Sequence, residues 1–509
     1  MHTLHLGEDW SADDLLVLAS GQELRLRLGA EARKRMRASR RTVEEVLAAG
    51  RPVYGVNTGF GALARERIGD ADREELQRNL LRSHACGVGE DLPAPVVRTA
   101  LALRAHSLAR GFSGVRPELV EWLVALFDSG WLPRVPAQGS VGACGDLAPL
   151  AHLALPVLGE GELVSPDGKV VPAARALRRI GLAPLALQAK EGLALINGVQ
   201  VSTALGLVAW AGLRNLSVTA DVAGALSVEA LMGSHRPFRA DVVRVRPHPG
   251  AKAAAANLRA LLRGSRVARA HADCDRVQDP YSFRCIPQVH GAAKDAVAVL
   301  GAALVLEANS ATDNPLVFGG DVVSAGNFHG QPVAMPLDAA ANAVCAWGNV
   351  SERRISTLVH PAMSGLPAFL APRPGVDSGF MIPQVVAAAL ASENKRLAAP
   401  ASADTIPTSA DQEDHVSMAA EAARKLGRGV VNLERILAVE FLVAAQAREA
   451  HAELRAGAGA EAAYAVLRDE VSALTRDRYL APDLDAAVIL VRDGAFAAAA
   501  EAACGRLRP

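Results

Sequence analysis

Aromatic side chains are scarce, at 4% of 509 residues, so the interior must be built from Ala, Leu and Val rather than from stacked rings. A charge of one sign is also missing: 54 Lys and Arg stand against 54 Asp and Glu. That balance leaves no basic footprint for nucleic acid or for an anionic membrane surface. Cysteine is sparse and scattered (Cys86, Cys144, Cys274, Cys285, Cys345 and Cys504), with no Cys-x-x-Cys pair. Neither a zinc ribbon nor a disulfide framework follows from that spacing, and the thiols read as reduced and cytoplasmic. The first ten residues hold neither the basic start nor the apolar stretch of a secretion signal. The longest clean apolar run, Ala296 to Leu306, is shorter than the roughly 20 residues that span a bilayer. A globular protein with small-molecule partners remains.

What is present is a helical pattern. Ala292 to Glu307, Gln384 to Leu397 and Ala419 to Glu453 carry apolar residues at helical spacing and contain no proline. The fold class is therefore mainly α, a bundle of long helices. Between Arg435 and Arg448 Glu440 is the only charged residue, which predicts a helix buried against others, within or between subunits. Proline and glycine cluster at 51 to 62, 111 to 116, 133 to 156, 236 to 250, 279 to 291, 312 to 331 and 364 to 379, marking loops on a helical scaffold. A boundary near residue 190 divides a loop-rich N-terminal domain (1–190) from a long-helix domain (191–509).

The most unusual stretch is Pro136 to His152, with glycines at 139, 142 and 145. A phosphate loop is excluded, because Asp146 and Leu147 stand where Lys and Ser/Thr are required. Gly59 to Ala64 only half-matches a dinucleotide fingerprint. Ala143-Cys144-Gly145 offers another chemistry. Gly145 lacks a Cβ, so its nitrogen can approach the Ala143 carbonyl and close a ring. Loss of the Cys144 heteroatom then leaves a conjugated methylidene, an electrophile absent from ordinary side chains. Asp146 is placed to polarise the closing carbonyl, and a helix beginning near Pro149 would aim its dipole at the developing charge.

This segment, Gly139 to His152, resembles the methylidene-imidazolone (MIO) segment of the histidine and aromatic amino-acid ammonia-lyases. The family's middle residue is Ser where this chain has Cys144; loss of H2S in place of water gives the same electrophile. Further blocks match in order along nearly the whole chain: Tyr54 to Gly61, Ser83 to Ala85, Lys190 to Gly198, Val277 to Arg284, Gly326 to His329 and Ile406 to Met418. The resemblance implies an ammonia-lyase or fumarase-like helical fold and a homotetramer with sites shared between chains. It also implies an electrophile formed from Ala143, Cys144 and Gly145, with no dissociable cofactor.

Carried over residue by residue, the resemblance makes Tyr281 the base for the β-proton and Tyr54 its neighbour on the amine side. Arg284 would hold the substrate carboxylate, Asn197 and Gln278 would bind carboxylate and amine, and Phe328 would shield the electrophile. His84 and Glu413 would recognise an imidazole ring. Each has a plainer reading: packing phenols, a surface ion pair, turn amides, a core aromatic, a structural histidine. Ser409 with Gln412 forms a capping-box signature, which makes Glu413 a first-turn helix acid. The run Gln412 to His415 points to several faces of a helix and predicts no metal site.

The reaction implied is loss of ammonia from L-histidine to give trans-urocanate, the first step of histidine degradation, by attack on either the amine or the ring. Tyrosine or phenylalanine ammonia-lyases and aminomutases are the alternative within the family. Outside it stand a thiol enzyme, with Cys144 acidified by the adjacent helix N-terminus, and an inactive homologue.

Overall fold

The structure, a computed structural model, describes residues 2–50, 52–59, 61, 65–270 and 277–509. Cys274 and part of the Gly59 to Ala64 stretch lie outside the described residues.

Helices dominate, for the reasons the composition predicts. Ala, Leu and Val run through Ile286–Ala308, Met381–Leu397 and Ala419–Arg448, where small side chains cost little conformational freedom and allow close approach. Two further long helices, Gln200–Ala230 and Gln331–Val359, lie outside the three segments singled out by their apolar spacing. Polar residues spaced through the first of them, such as Ser202, Thr219 and Asp221, are buried. Helix Ile286–Ala308 reaches 23 residues, with a mean hydropathy of 1.5 over an 18-residue window, long and apolar enough to cross a membrane by composition. Its buried His290 and Lys294 pair with Asp221 at 2.7 and 3.1 Å, as in the core helix of a globular unit.

Among the described residues the strands form four small sheets. His2–Leu6 pairs in parallel with Leu24–Leu28, whose Leu-Arg alternation buries every second side chain. Val88–Asp91 pairs with Pro136–Gln138, Leu132–Pro133 and Val170–Pro172 flank Glu162–Val164, and Leu316–Phe318 pairs with Asp321–Val323, all antiparallel.

The chain packs as two compact units. One comprises Met1–Val208, Leu300–Asp338 and Pro400–Arg424; the other comprises Ala209–Val299, Ala339–Ala399 and Lys425–Pro509. This differs from a single cut near residue 190. Long helices carry the chain out of the first unit and back into it, and composition does not register that return.

Candidate active site

In the first unit, helix Arg73–His84 ends on His84. Its Gln77 is fully buried, and Gln77 Oε1 accepts the Gly192 N–H at 2.8 Å, capping the start of helix Glu191–Ile196. One side chain thus ties the helix bearing His84 to the helix that delivers Asn197. Asn197 is fully buried, and neither its Oδ1 nor its Nδ2 has a protein hydrogen-bond partner. A buried amide with both ends open is costly unless a ligand satisfies it.

The Gly139 to Asp146 segment is held in left-handed backbone, with φ of 83° at Gly142, 53° at Cys144 and 82° at Gly145. A positive φ at a residue with a side chain, as at Cys144, stores strain. Gly198 grips the segment from below: its N–H donates to the Cys144 carbonyl at 3.3 Å and its carbonyl accepts from Asp146 N–H at 2.7 Å. A Cβ on Gly145 would lie 2.1 Å from Gly198 O, so no other residue fits there. The helix beyond starts at Leu147. Asp146 does not turn to the Ala143 carbonyl; both its oxygens accept from Ser202, from Oγ at 2.6 Å and from N–H at 2.7 Å. Burial pushes the Asp146 carboxyl up to about 6 against those donors.

The capping-box helix expected at Ser409 is not formed. Ser409, Ala410 and Asp411 take φ of 52°, 52° and 63°, and a tight hairpin closes between Thr408 and Glu413 through N–H···O bonds of 3.0 and 3.2 Å. Helix begins only at Ala419. The hairpin aims Glu413 at the strained segment: Cys144 Sγ donates to Glu413 Oε1 at 3.1 Å, while Thr408 Oγ1 donates to Oε2 at 2.7 Å.

Tyr54, His84, Cys144, Asn197 and Glu413 line one cavity of about 650 Å³, walled by apolar residues such as Leu80. Burial raises the Tyr54 phenol against the hydrogen bond from Gly61 N–H, and the Glu413 charge adds to the rise, so Tyr54 stays protonated near neutrality. Burial lowers His84, opposed by Glu413, which favours a neutral imidazole. The Cys144 thiol is driven strongly upward by burial and then by its bond to the Glu413 carboxylate. The acidified thiol expected beside a helix N-terminus is not found: a carboxylate, not a cation, faces the sulfur at 3.1 Å.

Phe328, Gln278, Tyr281 and Arg284 are not among the residues that line this cavity. Phe328, in the same unit, sits half-buried in a loop. Gln278, Tyr281 and Arg284 belong to the second unit, where they form a cluster of their own. Arg284 Nη2 donates to Gln278 Oε1 at 2.9 Å, and the guanidinium lies 4.6 Å from the centre of the Tyr281 ring. Tyr281 is 72% exposed, whereas Arg284 Nε is buried without a partner. The residues missed from sequence are Gln77, Ser202 and Thr408. They are ordinary polar residues whose roles come only from long-range contacts, so no local signal marks them.

The family model described as aromatic amino acid lyase matches residues 11–469. The histidine ammonia-lyase of Sorangium cellulosum is 55% identical over 489 residues, covering 94% of this chain and 95% of that protein. That of Deinococcus radiodurans is 54% identical over 471 residues, covering 92% and 89%. Among solved structures, histidine ammonia-lyase from Trypanosoma cruzi superimposes with a TM-score of 0.91 at 43% identity, covering 99% of this chain and 95% of that one. Tyrosine aminomutase from Streptomyces globisporus does so with a TM-score of 0.93 at 36% identity, covering 99% of each.

Proposed function

Because the chain belongs to the aromatic amino acid lyase family and is a carbon–nitrogen lyase, we propose that it removes ammonia from L-histidine to give trans-urocanate. The electrophile is the methylidene-imidazolone made from Ala143, Cys144 and Gly145. One observation carries this reading: Cys144 sits strained over the Gly145–Gly198 contact and points its sulfur at Glu413 inside the cavity. The residues suit the ring, since a glycine nitrogen is available at 145 and no Cβ fits beside Gly198. The ring supplies the electrophilic pull that activates the amine or the imidazole of the substrate.

The rest falls to side chains. Departure of the Cys144 sulfur as H2S leaves Glu413 Oε1 without its partner, while Thr408 keeps Oε2 fixed. That oxygen then accepts an imidazole N–H, and neutral His84 donates to or accepts from the second ring nitrogen. The open amide of Asn197 takes the carboxylate or amine. Tyr54, protonated, serves the amine side. We assign the β-proton to Tyr281 and the carboxylate to Arg284. Their cluster with Gln278 completes the site in a homotetramer, contributed by another copy of the chain. Exposed apolar residues on the long helices, among them Leu306 at 72% and Met335 at 61%, support association. The enzyme acts in the cytoplasm, in keeping with its free cysteines.

Product absorbance followed with histidine, tyrosine and phenylalanine in parallel tests the assignment. A phenyl ring leaves Glu413 and His84 unpaired, so histidine is favoured by at least about tenfold in kcat/KM, about 1.4 kcal/mol. Faster turnover of tyrosine or phenylalanine overturns the histidine reading and leaves the lyase class standing.

A further inference from the structure

Arg104, in helix Ala94–Ala109, is 1% exposed, yet no carboxylate among the described residues lies within ion-pair distance. Asp313, the acid whose charge it feels, is taken by Lys190 at 2.7 Å. The Arg104 guanidinium rests on neutral acceptors instead: Nη1 donates to the Asn197 carbonyl at 2.7 Å and to Gln200 Oε1 at 3.0 Å, Nη2 donates to Ser107 Oγ at 3.4 Å, and Nε has no partner. Burial without a counter-charge lowers it to about 10, which still leaves it charged near neutrality. An unpaired buried cation costs several kcal/mol, so it does not serve stability.

What it touches indicates its use. The Asn197 carbonyl and the Gly198 N–H belong to one peptide group. That N–H donates to the Cys144 carbonyl, which shares a peptide group with the Gly145 nitrogen. A cation on the first carbonyl sharpens the next N–H as a donor, and the effect passes along hydrogen-bonded peptides. The chain of contacts from Arg104 therefore ends on the Gly145 amide, whose N–H points at Gly142 O, 3.3 Å away.

We propose that Arg104 is a positioning residue for ring closure: through the Asn197–Gly198 peptide it holds the Cys144–Gly145 peptide in place and eases loss of the Gly145 amide proton. This rests on the ring-forming reading above. The chemistry balances without an oxidant. The bond from Gly145 nitrogen to the Ala143 carbonyl carbon forms. The Ala143 oxygen leaves as water with the amide hydrogens of Gly145 and Cys144. The Cα–H and Cβ–Sγ bonds of Cys144 break, and sulfur leaves as H2S with its own hydrogen and the one from Cα.

The test is intact mass and peptide mapping at intervals after a pulse of expression, reading the fraction of chains short by one H2O and one H2S. Arg104→Gln should slow appearance of the fused form at least about tenfold, about 1.4 kcal/mol in barrier, with unchanged circular dichroism. Arg104→Lys should recover most of the rate. Gln200→Glu is the second variant. It places a carboxylate on the guanidinium, so it should keep or raise Tm while slowing fusion severalfold, a pairing of effects that a purely structural role does not produce. Fusion at the wild-type rate in folded Arg104→Gln, or in Gln200→Glu should Arg104→Gln fail to fold, overturns the proposal. Absence of fusion in the wild type instead overturns the ring-forming reading, and this proposal falls with it.

Discussion

Among the described residues, Arg354 and Arg104 are both buried to within 1% of full shielding and are treated in opposite ways. In the second unit, Arg354 makes a two-pronged pair with Glu440 at 2.5 and 2.9 Å, and the hydroxyls of Ser227 and Ser351 fill the remaining places on that carboxylate. In the first unit, Arg104 has neutral acceptors only: the Asn197 carbonyl, the Gln200 amide oxygen and, at 3.4 Å, the Ser107 hydroxyl. The first arrangement closes a polar network on itself, where breaking the pair exposes an uncompensated charge. The second leaves its charge available to the peptides above it, next to an Asn197 amide that is also open. One cluster serves the fold and the other serves chemistry, so substitutions in the two regions should separate into losses of stability and losses of activity.

The largest effect is expected at Gly145. Gly145→Ala puts a methyl group 2.1 Å from Gly198 O and should lower kcat/KM at least about ten-thousandfold, about 5.5 kcal/mol, with no fused segment in the mass spectrum. A variant that still fuses and turns over histidine would show that the close approach is not required. Glu440→Ala should do the converse. Unfolding should become easier by about 3–5 kcal/mol while the fused fraction stays at the wild-type level, as measured by denaturant titration beside intact mass. Loss of fusion without loss of stability would erase the distinction between the regions.

Glu413→Gln comes next. An amide oxygen still accepts from Thr408, so the hairpin should persist, but the charge we assign to the substrate ring is gone. We expect kcat/KM for histidine to fall about 10- to 100-fold, about 1.4–2.7 kcal/mol, with Tm little changed. A Tm drop matching the activity loss would reduce Glu413 to a structural acid.

The smallest effect concerns pH. Burial, with help from the Asp146 charge, raises Glu307 in the first unit from 4.5 to about 7. Between those values the unfolded chain has released a proton that the folded chain keeps, so this group erodes stability as pH rises from about 4.5 to about 7, and the loss is constant above. Glu307→Gln should therefore gain stability over wild type above pH 7 and lose that advantage toward pH 4.5. His290 in the second unit works in the other direction: burial, with the Arg354 and Lys294 charges, lowers it against the pull of Asp221. Its share of stability is thus lost as pH falls below 6.5. Parallel Tm–pH curves for Glu307→Gln and wild type would remove the contrast.

Much of this is legible in the order of residues. The helical class follows from Ala, Leu and Val at helical spacing, and the proposed electrophile segment is marked by Ala143-Cys144-Gly145 following Gly139 and Gly142. Other features are not legible, for identifiable reasons. The Ser409–Gln412 capping signature is overridden by a hairpin whose closing pair, Thr408 and Glu413, is a tertiary choice. The acidic shift expected for Cys144 takes no account of a carboxylate 269 residues away along the chain. The cut near residue 190 misses segments that helices bring back to the first unit. Arg104 carries no local signal at all, since an arginine in an Ala/Leu helix reads as a surface residue until its burial is known.

The central claim is that Cys144 is consumed in making the electrophile. Intact mass spectrometry of the purified, unreacted protein addresses it directly. The account predicts a mass below that of the encoded chain by one H2O and one H2S, with the difference mapping to the peptide containing Ala143, Cys144 and Gly145. The encoded mass, with Cys144 fully alkylatable after denaturation, would contradict it.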